Sequence, residues 1–180
     1  MRGRLLAERL KLAPAARRGY ANEIVRYVRS LLEPIEGRII SLYWPIRAEP
    51  DLRALLPPIV EAGGRCSLPV VVEEKAPMVF RLWEPGIKLV PGIWNIPVPP
   101  SGAAVIPDIV IAPVVGYDAA CFRLGYGGGY FDRTFVSLPR RPVALGVGYA
   151  ISALPTIYPF PHDIALDAVI TEQGIAARRG

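Results

Sequence analysis

The sequence predicts an α/β domain whose central sheet is covered on both faces, and three observations carry that prediction. Short apolar runs rich in strand formers, RIISLYW (38–44), IVIAP (109–113) and PVALGVGY (142–149), lack the alternation of a half-exposed sheet. Stretches of helical spacing lie between such runs, as a layered α/β arrangement requires. The 180 residues, 52% hydrophobic and 21% charged, suffice for one domain with a real core, spanning 1–180.

Taken in order, residues from about Arg4 to Leu12 have helical character. Pro14 suits the first turn of a second helix. Ala16, Tyr20, Ile24, Val28 and Leu31 then recur at helical spacing as one apolar stripe, and Pro34 ends it. Arg38–Trp44 is a buried strand. DLRALLPPIVEAGG opens a helix at Asp51 and closes it at Gly63–Gly64, with a break expected at Pro57–Pro58. RCSLPVVV and PMVFRLW form two strands joined by a polar turn at Glu73–Lys75. From Glu84 to Asp108 the chain is rich in proline and glycine and reads as a long functional or mobile loop. IVIAP is the next strand, Gly116–Gly128 another loop, and Tyr130–Leu138 a helix. PVALGVGY is a strand, and DAVIT is the last short one. Ligands in such folds sit beyond the carboxyl ends of strands, which directs attention to the loops after Trp44, Pro113 and Tyr149.

Composition narrows the function. Net charge is +5, and lysine occurs only at Lys11, Lys75 and Lys88, so the basic side is almost all arginine. The arginine fork suits phosphate and carboxylate. No basic run alternates with aromatics and no recognition-helix or zinc-finger pattern occurs, which argues against nucleic acid as a partner. Cys66 and Cys121 form no C-x-x-C and read as reduced, buried thiols. No apolar run reaches the roughly 18 residues that span a bilayer. The N-terminal leucines are interrupted by Glu8, Arg9 and Lys11, unlike a signal peptide, so no membrane partner and a cytoplasmic location are expected.

One stretch stands apart. In CFRLGYGGGYFDRTF (121–135), Gly125, Gly127, Gly128 and Gly129 precede a helix. Bare backbone lets N–H groups approach a ligand, and a helix start adds free N–H groups and positive potential. That is an anion cradle or, on the plainer reading, a tight turn. The ending G-K-[ST] of a Walker loop is missing, and the long preceding loop excludes the dinucleotide fingerprint. Arg123 stands two residues ahead and can fork onto phosphate. Asp132, in the first helical turn, either complements the helix dipole or binds magnesium beside phosphate. Arg133 reads as solvated. Glu49 reads either as a solvated charge or as an acceptor for a ligand's paired N–H donors. Asp51 suits a helix cap. Trp94, in the proline-rich loop, is a better stacking platform than Trp44 or Trp83.

RLGYGGGYFDR resembles the signature of the 5-formyltetrahydrofolate cyclo-ligase family, also called methenyltetrahydrofolate synthetases. Similar segments run along nearly the whole chain: LYWPIRAEPDL, SLPVV, WNIPVP, PDIVIAPVVGYD and PHDIALDAVIT. The resemblance implies a three-layer α/β/α domain with a mostly parallel or mixed central sheet. It also implies that ATP and Mg²⁺ drive conversion of 5-formyltetrahydrofolate to 5,10-methenyltetrahydrofolate, with release of ADP and phosphate. A reduced folate and ATP are then the small-molecule partners, and the chain is a monomer or a weak homodimer.

Carried over by position, the resemblance sets Arg2, Arg123 and the segment Leu124, Gly125, Tyr126, Gly127, Gly128, Gly129, Tyr130 and Phe131 on ATP. Arg123 and Tyr130 are the positioning residues. Trp44, Glu49, Trp94 and the stretch Tyr126–Tyr130 fall on the folate, and Asp132 and Asp163 on the metal. The pattern departs in three places: no lysine stands three or four residues ahead of Arg2, Phe131 replaces a frequent tyrosine, and Leu52 a common threonine.

Phosphoryl transfer needs placement and charge stabilisation more than covalent help, which suits a chain with one histidine. His162, beside Asp163, reads as a supporting residue rather than a general base. Two rival readings remain: a member of the family that binds folate or nucleotide without turnover, and a sugar-phosphate isomerase-like enzyme. The latter needs an acid–base pair near the glycines, for which only Asp118 and Asp132 are at hand.

Overall fold

The computed structural model describes residues 1–180. Helices α1 (Arg2–Lys11) and α2 (Pro14–Leu32) open the chain. Strand β1 (Ile39–Ser41), helix α3 (Leu56–Glu61), β2 (Arg65–Val70) and β3 (Val79–Trp83) follow. Next come the short strands β4 (Val90–Pro91), β5 (Pro97–Val98) and β6 (Ala104–Val105), then β7 (Ile109–Pro113). The hairpin β8 (Gly116–Tyr117) and β9 (Arg123–Leu124) precedes α4 (Tyr130–Ser137). Strands β10 (Val143–Val147), β11 (Ala168–Thr171) and β12 (Gly174–Arg178) complete it.

Eight strands form one sheet in the order β12-β11-β10-β7-β1-β2-β3-β6. The five central strands, β11 to β2, run parallel, while β12, β3 and β6 pair antiparallel outside them. Alternate residues of β7, β10 and β11 divide between two cores. Ile109, Ile111, Leu145, Val147, Ala168 and Ile170 pack with Ile24, Val28 and Leu32 of α2 and Ile59 of α3. Val110, Ala144 and Val169 face the other way, onto Phe135 of α4. Both faces are therefore covered, which is why these strands show no polar alternation. The fold is the mixed, mostly parallel α/β/α sandwich that the sequence predicts. No helix is long and apolar enough to cross a membrane.

Four local expectations change. The buried set on α2 is Ala21, Ile24, Val28 and Leu32, while Ala16, Tyr20 and Leu31 are only half-buried. Pro57 and Pro58 do not break a helix. They occupy the first turn of α3, where a missing N–H costs nothing, and a 3-10 turn (Arg53–Leu55) precedes them. The 84–108 stretch is ordered by a β4–β5 hairpin and by β6, which joins the main sheet. After β11, Gly174 turns at φ +115° and β12 returns antiparallel, a strand that composition did not signal. Cys66 and Cys121 are free and buried, and burial pushes the Cys66 thiol up to about 12.

Chain order reverses between β1 and β7. The chain moves from β1 outward to β2 on one side, and β7, β10 and β11 extend the other. Such a switch point leaves a crevice beyond the strand ends. The segment after β1 carries Trp44 and Glu49, and the segment after β7 carries the β8–β9 hairpin and the glycines.

Candidate active site

Both segments meet in that crevice. The Tyr126 hydroxyl donates to Glu49 Oε1 at 2.8 Å, across 77 positions of sequence. Glu49 sits at the end of a reverse turn in which Arg47 (φ 46°) and Ala48 (φ 61°) are both left-handed. The Glu49 amide donates to Ile46 O at 2.9 Å, and the Ile46 amide donates back to Glu49 Oε2 at 2.8 Å. Paired left-handed residues other than glycine store strain of about 1–3 kcal/mol each, and such strain gathers at functional sites. Glu49 is 6% exposed. Burial raises its pKa above the usual carboxylate range, opposed by the bonds from Ile46 and Tyr126 and by the charges of Arg9 and Arg47.

The sign of that shift is testable. A carboxyl whose folded pKa is raised contributes most to stability below its unfolded pKa, and loses that contribution as pH rises through the folded value. Glu49→Gln is therefore expected to gain stability relative to the parent as pH rises above the ordinary glutamate value of 4.5. The two should be equal in that respect below about pH 4. Urea melts across this range measure it; a difference that is flat with pH contradicts the buried ionised carboxylate.

The glycine loop is shaped by the hairpin before it. Buried Asp118 accepts from the Ala120 and Phe122 amides through Oδ1 and from the Ile157 amide through Oδ2, each at 3.1 Å. Gly127 (φ +99°) and Gly129 (φ +63°) then take left-handed turns. A Cβ on Gly128 would lie 2.6 Å from the Tyr130 ring. Bare backbone is thus a steric requirement here, as well as a means of close approach. Helix α1 braces the loop. The Arg2 Nε donates to Gly125 O at 2.5 Å, and from α4 the Arg133 guanidinium donates to Gly128 O. Leu5 of α1 packs so closely on Gly116 that a Cβ there would come within 2.7 Å.

Below the loop, Arg123 and Asp132 form an ion pair at 2.8 Å with side chains 5% and 17% exposed. Asp132 Oδ1 also accepts from the Ile164 amide at 3.0 Å, and Arg123 Nη1 donates to Ile164 O at 3.2 Å. The Arg123 guanidinium lies against Phe131 and Phe135, 5.5 and 5.7 Å from the ring centroids. Burial lowers its pKa, against the attraction of Asp132 and Asp163. The sequence reading sets Arg123 on phosphate; the structure has its fork engaged by Asp132 and Ile164, tying β9, α4 and the 160s loop together. Asp163 Oδ2 accepts from the Phe160 amide at 2.7 Å. His162 is exposed and stacks on Phe160 at 5.6 Å.

Trp94 lies at the tip of the β4–β5 hairpin, again in a left-handed pair (φ 56°, with Asn95 at 60°). It is 59% exposed and meets the Tyr130 ring edge-on, centroids 5.4 Å apart. Trp44 is half-buried against the core with the Arg53 guanidinium 4.9 Å above its ring. Arg53 itself is gripped by Asp51 through two bonds, at 2.9 and 2.6 Å, and its amide also donates to Asp51 Oδ1. Leu124 and Phe131 flank the loop in β9 and α4.

Sequence reasoning left out Arg9, which is 4% exposed and donates through Nη2 to the Tyr126 hydroxyl at 3.2 Å. The signal was present: Arg2, Leu5 and Arg9 fall on one face of α1, two turns end to end. Arg47 also contributes, 5.3 Å above the Tyr126 ring.

No group of three or more side chains of the metal-binding types is present. A permanent all-protein metal cage is absent; Asp132 and Asp163 could supply at most a carboxylate or two to a metal held mainly by a ligand. Asp118 is buried and accepts from three backbone amides, which leaves Asp132 without the partner that isomerase acid–base chemistry would need.

The chain matches the model of the 5-formyltetrahydrofolate cyclo-ligase family over residues 1–172. It is 31% identical over 188 residues to a 5-formyltetrahydrofolate cyclo-ligase of Mycolicibacterium smegmatis, covering 99% of this chain and 96% of that one. An Escherichia coli protein of the same name is 30% identical over 148 residues, 76% of this chain and 79% of its own. Among solved structures, the Aquifex aeolicus 5,10-methenyltetrahydrofolate synthetase superposes with a TM-score of 0.84 at 27% identity, covering 98% of this chain and 90% of that one. A Mycoplasma pneumoniae 5,10-methenyltetrahydrofolate synthetase shares the fold, with a TM-score of 0.73 at 22% identity over 95% of this chain and 96% of that one. With the glycine loop, its arginine braces and the buried glutamate all in one crevice, these matches place the chain in the 5-formyltetrahydrofolate cyclo-ligase family.

Proposed function

We propose that this enzyme converts 5-formyltetrahydrofolate and ATP to 5,10-methenyltetrahydrofolate, ADP and phosphate, with Mg²⁺. The observation that carries the reading is the Tyr126–Glu49 contact, which puts a glycine-lined anion cradle one residue from a buried carboxylate acceptor. A nucleotide's phosphates and a pterin's N–H edge require those two surfaces side by side.

The amides from Gly125 to Gly129 hold the phosphates, with Leu124 and Phe131 at the two ends of that segment. Arg2 and Arg133 keep the loop in shape and add positive charge. Glu49 accepts the aminopyrimidinone edge of the pterin, and Trp94 with Tyr130 closes over the ring; Trp44 backs the segment that bears Glu49. Asp132 and Asp163 are the residues that would hold magnesium, which supplies charge neutralisation on the phosphates. Arg123 acts by fixing Asp132. The formyl oxygen takes the γ-phosphoryl group, N10 attacks the activated carbon, and phosphate departs with that oxygen while N10 loses its proton. The protein's part is alignment and exclusion of water.

Mixing the purified chain with 5-formyltetrahydrofolate, ATP and Mg²⁺ should raise the methenyl absorbance, and omission of ATP should abolish the rise. Ligand binding without that rise would favour a non-catalytic binder. Glu49→Ala is expected to weaken the folate by about tenfold to a hundredfold, as for loss of a charge-assisted pair, and to leave ADP affinity within a factor of two. Equal loss of both ligands would undo the division of the pocket.

A further inference from the structure

Arg9 is buried, yet its hydrogen bonding is incomplete. Nη2 reaches the Tyr126 hydroxyl, but Nη1 is shielded from solvent and has no partner. None of the ion pairs in the structure includes Arg9. Its charge is felt by Glu49, Tyr43, Tyr126 and Tyr149, which places it inside the same polar crevice. A buried cationic N–H without an acceptor is costly, and each such group calls for an explanation.

The chemistry of the site supplies one. Glu49 Oε1 and Oε2 each accept one protein bond and keep a free lone pair. A pterin presents, in a row, the 4-oxo acceptor, the N3–H donor and the 2-amino donor. A carboxylate fork satisfies the two donors and leaves the oxo group next to them without a donor. We propose that Arg9 is a specificity-determining residue whose Nη1 donates to the 4-oxo group of the pterin held on Glu49. This rests on the folate reading above. The guanidinium and the carboxylate, linked through Tyr126, present donor, acceptor, acceptor to the ring's acceptor, donor, donor edge. Since the 4-oxo carbon and N5 share a neighbouring ring atom, the same bond orients the N5 formyl group. Tyr126, which Arg9 holds, is also part of the glycine loop, so the ring is registered against the phosphate cradle.

The test pairs a residue change with a ligand change, so that the coupling between them is isolated. Titration calorimetry of the full chain would use 5-formyltetrahydrofolate and its 4-amino-4-deoxy counterpart, in which the 4-position acceptor becomes a donor and N3 loses its hydrogen; the N3 change alters the bond to Glu49 in parent and variant alike and cancels in the comparison. The parent protein is expected to prefer the oxo ligand. Arg9→Met should lower affinity for the oxo ligand about tenfold, leave the amino ligand within a factor of two, and so shrink the preference about tenfold. Arg9→Lys should recover part of it. If Arg9→Met does not fold, judged by its melting curve, Arg9→Gln carries the same comparison. Equal weakening of both ligands, or of neither, overturns the proposal and leaves Nη1 satisfied by water. Glu49→Ala separates the levels: if it leaves folate affinity unchanged, the pocket reading itself fails. If it weakens folate while the Arg9 variants keep the parent preference, only the Arg9 inference fails.

Discussion

Asp132→Asn should cost about 3 kcal/mol of stability, the lower end for breaking a buried ion pair, and lower the melting temperature by roughly 10 °C. The substitution leaves the Arg123 guanidinium charged and enclosed between Phe131 and Phe135 without its ion-pair partner, with only the weaker attraction of Asp163 remaining. An asparagine oxygen can still accept from the Ile164 amide, so the loss comes from the charge. Turnover falls as well, and a double variant separates the two effects. Replacing both partners, Arg123→Met with Asp132→Leu, should restore most of the stability because an apolar pair fills the space without an unpaired ion. It should not restore turnover. Calorimetric melting with the methenyl assay reads both; a parent-like melting curve for Asp132→Asn would show that the pair adds nothing.

Gly127→Val is expected to act in the opposite sense, with a large loss of nucleotide binding and a small loss of stability. Gly127 has φ +99°, a conformation that a β-branched residue reaches only under strain of about 1–3 kcal/mol. Its Cβ would also stand 3.4 Å from the Arg2 guanidinium carbon. The segment is exposed, so it can relax by swinging the amides and Arg2 out of position. Mg-ADP affinity should fall about a hundredfold if the cradle loses two charge-assisted bonds. The melting temperature should move by no more than about 4 °C. Unchanged affinity by calorimetry would mean that the phosphates bind elsewhere.

The layered α/β class was legible because burial on both faces erases alternation, as Ile109, Val110 and Ile111 show by dividing between two cores. The glycine loop was legible because four glycines in five positions have few purposes. The turns that present Glu49 and Trp94 were not, since both run left-handed through Arg47–Ala48 and Trp94–Asn95, with no glycine at the left-handed positions themselves. Tertiary contacts impose that backbone; local preference would not. Arg123 was only partly legible for a related reason. Spacing puts it near the glycines, but only the fold shows that it points inward to Asp132. Arg9 needed the docking of α1 before its charge could be assigned to the crevice.

The margins of the sheet have a bearing on solubility. β6 contributes only two residues at one margin, and β12 at the other pairs with β11 through a register shift at Val169/Ile170 and ends in Arg178, with Arg179 just beyond. A foreign strand seeking unpaired amides finds a ladder too brief on one side and too kinked and cationic on the other. The molecule thus carries five largely apolar inner strands while offering little template for runaway stacking into fibrils.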